Sequence, residues 1–378
     1  MIEIKDKYFI MITNGNEDIV KEPKNLLKLT ISFEAGFNIP IFELVFLTGD
    51  NEVIKSINER SEFYCQIGKD SNSPYILTLY PRNVTFQKSG EYFKVIMAGT
   101  IIVPQKYYNN SIVFSKKGFS KEIFKDVLNK IDITTNDYAV ETNDFQTWLN
   151  YNETPFSFLK KIYKHSYIND NNILFVGFNF SGEFLIKDLE TQTSSDEKIN
   201  FINVGKKSDK DKIYNLDYDV YNDFGILNSF GVYEKNILNY NIIKNSDEII
   251  KTPKLDTVFS NSSFINVINL KISKNIGSVF YNENMHDNYF KAPLVLKGWL
   301  SLLSELQLEI ETDGEFLDVE LFDKVYFNDY ATLKNSDQHL EGYYIISKID
   351  IIFFKGVFSM KFNINRESQN NLKELGVI

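Results

Sequence analysis

The stretch SKIDIIFFKGVFSMKFNINRE, Ser347 to Glu367, reads as two stiff apolar strands around a two-residue joint, Lys355-Gly356. In its second arm Phe358, Met360, Phe362 and Ile364 alternate with Ser359, Lys361, Asn363 and Asn365. That period of two assigns the first set to a core and the second to the other face. The run stops at Arg366, and the chain then turns polar. A looser version of the same pattern, RNVTFQKSGEYFKVIMAG, occupies Arg82–Gly99. Two ends closed by the same kind of hairpin predict two related β-units.

Working outward, LLKLTISFE alternates strictly, with Leu27, Leu29, Ile31 and Phe33 on one side and Lys28, Thr30, Ser32 and Glu34 on the other. IPIFELVFLTG is a more fully buried strand with Pro40 at its edge. EFYCQIG, YILTLY, NVTFQ and YFKVIMAG follow at short spacings, so residues 1–103 read as a first β-barrel. The period then changes. GFSKEIFKDVLNKI sets Phe119, Ile123, Val127 and Ile131 at helical spacing, with Ser120 as the expected N-cap. A second helix starts at TPFSFLKKIYKHS, where Thr154 can cap and Pro155 takes the first position. The strand pair NILFVGF and GEFLIKDL completes an α+β domain over 104–205, with TQTSSDEKINF and GKKSDKDK read as polar loop.

Strand signals return in IYNLDYDVYNDF, and 206–240 with 305–366 read as a second β-barrel. Between them 241–304 is an insertion, turn-rich over 241–263. It ends in a helix from about Pro293 to Ser304, with Leu296, Leu300 and Leu303 on one face. Residues 367–378 form a short tail. The fold class is therefore α+β, mostly β.

The chain has 378 residues, enough for several units, with 43% hydrophobic and 24% charged residues, as in a soluble globular protein. Aromatics reach 15%, with 32 Phe and 22 Tyr, which suits strands and large interfaces. A net charge of −10 argues against a generic nucleic-acid binder. One cysteine, Cys65, excludes an intrachain disulfide framework, and its place in SEFYCQIG makes it a buried thiol. The charged start is unlike a secretory signal, and no run approaches the ~18 apolar residues of a membrane span. Folding in a cytoplasm is the expectation.

Signals for chemistry are few. His165 ends a helix, where a dipole contact explains it; His286 and His339 sit in polar loops, and no two of the three histidines form a zinc pair. VGKKSDK lacks the order of a phosphate loop. Asp217, Asp219 and Asp223 share one face of a strand, which suggests either paired carboxylates for calcium or glycosidic chemistry, or a charged sheet edge that discourages aggregation. Trp148 and Trp299 lie near helices and read as core. No catalytic, cofactor or metal residue is assigned.

The order of elements resembles the baseplate hub proteins of contractile-tailed bacteriophages, as in T4-like phages, and the upper part of type VI secretion spikes. Three stretches carry the resemblance: VFLTGDN followed by EFYCQIG; TWLNYNETPFSFLKKIYKHSYINDNNILFVGFNFSGEFLIKDL; and FLDVELFDKVYFND leading to EGYYIISKIDIIFFKGVFSMKFNINR. Residues 241–290 match least. The resemblance implies a non-enzymatic homotrimer whose two similar barrels make a ring of pseudo-sixfold symmetry. That ring would join a sixfold tail tube to a separate trimeric spike, touch baseplate wedge proteins, and let DNA pass without specific binding. It would be a virion component assembled in the host cytoplasm. A complete type VI spike would add an OB-fold and a β-helix, so the spike is expected to be a separate protein. Alternatives are the hub of another contractile injection system, a cell-wall hydrolase using Asp217 and Asp219, and a peripheral receptor-binding module.

Overall fold

Thirteen strands hydrogen-bond into one sheet, and the two ends of the chain meet in its middle. The computed structural model describes residues 2–4, 7–15, 17–20, 22–59, 62–203, 216–222, 236–241, 246–251, 258–259, 277–280, 284–329 and 340–367. The GKKSDKDK loop, Asp223, His339 and the tail after Glu367 lie outside the described residues.

The first part holds β1 (Ile2–Ile4), β2 (Tyr8–Thr13), β3 (Leu26–Glu34), β4 (Ile41–Thr48), β5 (Phe63–Gly68), β6 (Tyr75–Ser89) and β7 (Tyr92–Thr100). Between β4 and β5 stands a helix absent from the sequence reading, α1 (Asn51–Glu59). Its signal is short: the Asp50 carboxylate accepts from the Glu52 N–H at 2.8 Å, and among the helix's described side chains Val53 and Ile57, one turn apart, are the buried ones.

The middle part runs β8 (Ile112–Gly118), α2 (Ser120–Asn129), β9 (Thr135–Asp137), β10 (Gln146–Glu153), α3 (Pro155–His165), β11 (Leu174–Phe178), β12 (Phe184–Asp188), α4 (Leu189–Ser194) and β13 (Ile199–Asn203). Thr154 caps α3 as expected, accepting from the Ser157 N–H at 3.3 Å. Ser120 does not cap α2. It is the first helical residue and fully buried, and its N–H is taken at 2.9 Å by the buried Asp144 carboxylate, which also accepts from the Tyr167 N–H. Phe119 is correspondingly outside the core, packed on Phe145 at 5.1 Å. The segment read as loop after β12 contains α4, capped by Asp188, and β13. β13 pairs in parallel with a strand of the last part, β19, so the chain re-enters the large sheet before residue 205.

The last part holds β14 (Leu216–Asn222), then β15 (Asn236–Asn241), β16 (Ser246–Lys251) and β17 (Gly277–Phe280), which form a small separate sheet. A strand pair thus stands where a turn-rich excursion was expected. Helix α5 (Ala292–Leu303) follows, then β18 (Leu306–Asp313), β19 (Lys324–Asp329), β20 (Gly342–Phe354) and β21 (Val357–Arg366). α5 buries Val295, Leu296, Trp299, Leu302 and Leu303; Leu300, expected with them, is 38% exposed and lines an apolar cavity of ≈ 460 Å³.

Across the sheet the first part runs β3-β4-β7-β6-β5, and the last runs β14-β18-β21-β20-β19. Ranked along the chain, both sets follow one order: first, second, fifth, fourth, third. The hairpins agree residue by residue. Laying Ser89 on Phe354, the last paired residues before each turn, lays Arg82 on Ser347, and each of these is the unpaired residue of a bulge. Both turns are of the primed kind that right-twisted strands favour. Lys355 (φ 49°) and Gly356 (φ 86°) are both left-handed, whereas Gly90 (φ 63°) is left-handed alone.

The two sets are joined edge to edge. Lys348–Phe354 of β20 pair antiparallel with Glu34–Lys28 of β3, while Gly342–Ile345 of the same strand pair with β19. On the core side of this seam Leu29, Ile31, Phe33, Ile349, Ile351 and Phe353 are all at most 2% exposed. Phe358, Met360, Phe362 and Ile364 are buried as the alternation required. Replacing Phe362 with Ala is expected to cost about 3–5 kcal/mol in a denaturant titration, and replacing Lys361 on the opposite face under about 1 kcal/mol. Similar losses at both sites would show the register to be wrong.

Candidate functional site: a polar face across both strand sets

Because side chains alternate along each strand, the sheet buries one face and turns the other outward. The outward face can be followed from strand to strand by register. Asp219 of β14 stands opposite Glu309, Glu309 opposite Asn363, and Glu311 opposite Lys361. Lys361 stands opposite Asp350, Asp350 opposite Ser32, and Thr30 opposite Glu43. Glu43 then faces Ala98, and Lys94 faces Gln87 of β6. Eight strands from β14 to β6 therefore share one surface.

Its side chains are tied together. Ser32 donates to Asp350, Lys348 reaches the same carboxylate at 2.8 Å, and Ser359 donates to Glu311 at 2.9 Å. Lys361 pairs with Glu309, and that hydrogen bond, with further help from Glu311 and Asp350, raises its pKa and keeps it charged. Carboxylates (Glu34, Glu43, Asp219, Glu309, Glu311, Asp350) outnumber the ammonium groups of Lys28, Lys94, Lys348 and Lys361. The β4 and β7 share is more apolar, with Ile41 58% exposed.

The residues weighed for chemistry lie apart from one another. Cys65 is fully buried in β5, and burial pushes its thiol up to about 12. Asp217 and Asp219 sit on β14 opposite Glu311 and Glu309, and among the described strands β14 pairs with β18 alone. Trp148 and Trp299 are core residues whose ring N–H groups donate to the Gly118 and Asp170 carbonyls, each at 3.0 Å. His165 stacks on Tyr289 at 3.8 Å, with Nδ1 3.0 Å from the Tyr289 carbonyl oxygen. Burial pulls its pKa down to about 4, so the imidazole is neutral and the expected charge–dipole contact is not its role. His286 is buried rather than in an open loop, its Nε2 2.9 Å from the His165 carbonyl oxygen and its Nδ1 without a partner. Among the described residues no cluster of three or more His, Cys, Asp or Glu side chains is arranged to hold a metal, and no helix is long and apolar enough to cross a membrane.

Sequence reading missed the buried charges. Lys187 of β12, 2% exposed, is held by Asp323 at 3.0 Å, Glu320 at 3.3 Å and the Leu321 carbonyl at 3.1 Å, which ties the middle part to the last. Arg366 is fully buried over the Tyr344 ring and donates to the Glu341 carbonyl at 3.0 Å. Beside it, Glu367 accepts from the backbone N–H of Val258 and Phe259, and Glu305 is 2% exposed with neither carboxylate oxygen partnered. Burial, with Glu367 adding, pushes Glu305 up to about 8.

A twice-used five-strand order joined into one continuous sheet defines a fold and by itself assigns no chemistry. Solved structures that share this fold include tail proteins, two of them from prophages. The tail protein from Neisseria meningitidis MC58 is 12% identical with a TM-score of 0.61, covering 96% of this chain and 97% of that one. The 43 kDa tail protein of prophage MuSo2 from Shewanella oneidensis is 11% identical with a TM-score of 0.59, covering 95% and 98%. The prophage tail protein gp18 from Listeria monocytogenes EGD-e is 10% identical with a TM-score of 0.52, covering 97% of each chain. No family model and no curated protein matches the sequence. The resemblance read from the sequence thus holds at the level of the fold: this chain has the architecture of a phage tail protein, over its whole length.

The buried titratable groups set two opposite pH dependences. His165 is neutral when folded and titrates at 6.5 when unfolded, so its contribution is present above pH 6.5 and lost as pH falls towards about 4. Glu305 is protonated when folded, so its contribution is present below pH 4.5 and lost as pH rises through about 8. Melting temperatures across this range should show His165→Phe flattening the acid side and Glu305→Gln flattening the alkaline side. A wild-type alkaline slope retained by Glu305→Gln would assign that slope elsewhere.

Proposed function

We propose that the chain is the central hub of a contractile phage tail baseplate. In this reading it is a homotrimer whose two strand sets form similar barrels and give a ring of pseudo-sixfold symmetry. The ring joins a sixfold tail tube above to a separate trimeric spike below, with wedge proteins around it. The observation that carries the reading is the duplicated order, first-second-fifth-fourth-third, joined edge to edge inside one chain. A chain with two equivalent ring-forming units needs three copies to present six, and three copies also match a trimeric spike. The likeness to prophage tail proteins over 95% and 97% of the chain supports the same reading.

The polar face then lines the axis along which DNA passes. Three copies triple the formal charge of −10, and the acidic residues on that face place part of it at the wall. Repulsion between such a wall and DNA reaches ~8 Å at physiological salt, which keeps DNA from adhering. A basic wall would capture phosphates through counterion release. No bond-breaking step is assigned: Asp219 lies exposed on β14, which among the described strands pairs with β18 alone, and a structural charge suffices there.

Light scattering on the purified protein is expected to give about three times the 44.0 kDa of one chain. The same sample should show no retention of double-stranded DNA at physiological salt. A monomer at all concentrations would refute the hub; a tight DNA complex would refute the acidic lining alone. Digestion of purified cell wall would instead favour the hydrolase.

A further inference from the structure

The strand pair β8–β10 has two unlike faces, and the outer one is the reverse of the large sheet's. On the inner face Phe114, Trp148 and Asn150 are buried, with Phe114 packed 5.6 Å from Phe158 of α3. The outer face follows from register: Tyr151 stands opposite Val113, Leu149 opposite Ser115 and Thr147 opposite Lys117. One step further along, Phe145 packs on Phe119. Val113 is 75% and Tyr151 79% exposed, and Leu149, Phe119 and Phe145 are open to solvent as well. These side chains share a strip about 20 Å long, the rise of six strand residues. Where the outward face of the large sheet is laced with lysines and carboxylates, this one is apolar and aromatic, which in a soluble chain marks a contact surface.

A cleft and a charge give the strip its chemistry. Beside β10 opens a cavity of ≈ 290 Å³, lined by Thr147, Leu149, Phe158, Lys161, Met285 and Tyr289. Lys117 lies 5.5 Å over the Phe145 ring, and among the described residues no carboxylate reaches it. Lys116 is instead paired with Asp126 at 2.5 Å, and Lys161 with Glu153 at 3.3 Å. The charge left uncompensated on the strip is therefore positive.

We infer that the strip docks a segment of another tail protein, one that sets an apolar side chain into the cleft beside β10 and a carboxylate on Lys117. Charge argues against a second copy as the occupant: the strip meeting itself would bring two uncompensated ammonium groups into one apolar contact. Its place argues for a partner outside the ring. The middle part stands behind the core face of the large sheet, where Phe180 packs on Phe33, so the strip it carries is separated from a channel lined by the polar face. Aromatic side chains beside a pocket are where binding energy concentrates. This inference rests on the hub reading for the partner's position and adds to it the surface and the chemistry that fits it.

Hydroxyl-radical footprinting of the full chain tests it, on the purified protein and within purified tails. Tyr151, Phe145 and Phe119 should oxidise readily in the purified protein and several-fold less in tails, with the buried Trp148 unreactive in both. With p-benzoylphenylalanine in place of Leu149, which lines the cleft, irradiated tails should give one adduct joining this chain to a different tail protein. The joined peptide should carry Asp or Glu close to the linked residue. Lys117→Glu should lower the adduct several-fold and Lys117→Arg keep it, both with the wild-type melting temperature. Oxidation equal in the purified protein and in tails overturns the docking face. An adduct to a second copy overturns the foreign partner, and equal yields from Lys117→Glu and wild type overturn the carboxylate. Binding to phosphatidylglycerol vesicles that Tyr151→Asp abolishes would give the strip to lipid instead. The mass in solution keeps the two readings apart. A trimer whose strip stays reactive in tails loses the docking face and keeps the hub; a monomer whose strip is protected in tails loses the trimeric hub and keeps the docking face.

Discussion

The antiparallel pairing of β3 with β20 is the constraint on which the rest of the architecture depends. It binds two strands whose touching side chains, Ser32 and Asp350, are 318 positions apart. Without it the chain would hold two separate sheets; with it, the core faces of both sets become one surface and the polar faces another. Its register is enforced by burial. A slip of one residue would carry Leu29, Ile31 and Phe33 to the polar side and bring Lys28 and Thr30 inward. The middle part reinforces the seam from behind: the N–H of Gly36, just past β3, donates to the Val176 carbonyl at 2.6 Å, and Phe33 packs edge-on against Phe180 at 5.0 Å.

What was legible in the sequence was local. Strict alternation placed Phe358 to Ile364 in the core, and Lys355-Gly356 announced its turn, because both signals lie within a few residues of their effect. The caps show the limit of such reading. Thr154 acts on its own helix and was found, whereas the acceptor for the start of α2 is Asp144, from a strand lead-in on the far side of β9. β13 read as loop because its alternation, buried Ile199 and Phe201 around exposed Asn200, spans only three residues; its parallel partner β19 supplies the pairing. The seam itself left no mark in composition. Nothing in LLKLTISFE says which strand will lie beside it, and only the kinship of the two hairpins hinted that the units belonged together.

The buried charges were illegible for a different reason: a polar letter near a strand end reads as surface. Arg366 ends its strand in the sequence but lies fully inside, and the geometry explains why its neighbour is a glycine. A Cβ on Gly342 would sit 2.4 Å from the Arg366 Nη1, and the φ of 142° at that residue is open to glycine alone. The guanidinium, the Tyr344 ring and the Glu341 carbonyl form one packed unit where β20 begins. Lys187 does the same between the middle and last parts, with Asp323 and Glu320 supplying the charge that makes its burial tolerable.

The distance between β3 and β20 along the chain also has a meaning in time. A ribosome adds roughly 5–20 residues per second, so β3 leaves the exit tunnel tens of seconds before its partner is made. For that interval the strand's second edge, flanked by Leu29, Ile31 and Phe33, is an unpaired template for any other nascent strand. Neighbouring polysomes would present the same edge to one another. What shields that one nine-residue strand during synthesis therefore bears on how much of the chain reaches the finished fold.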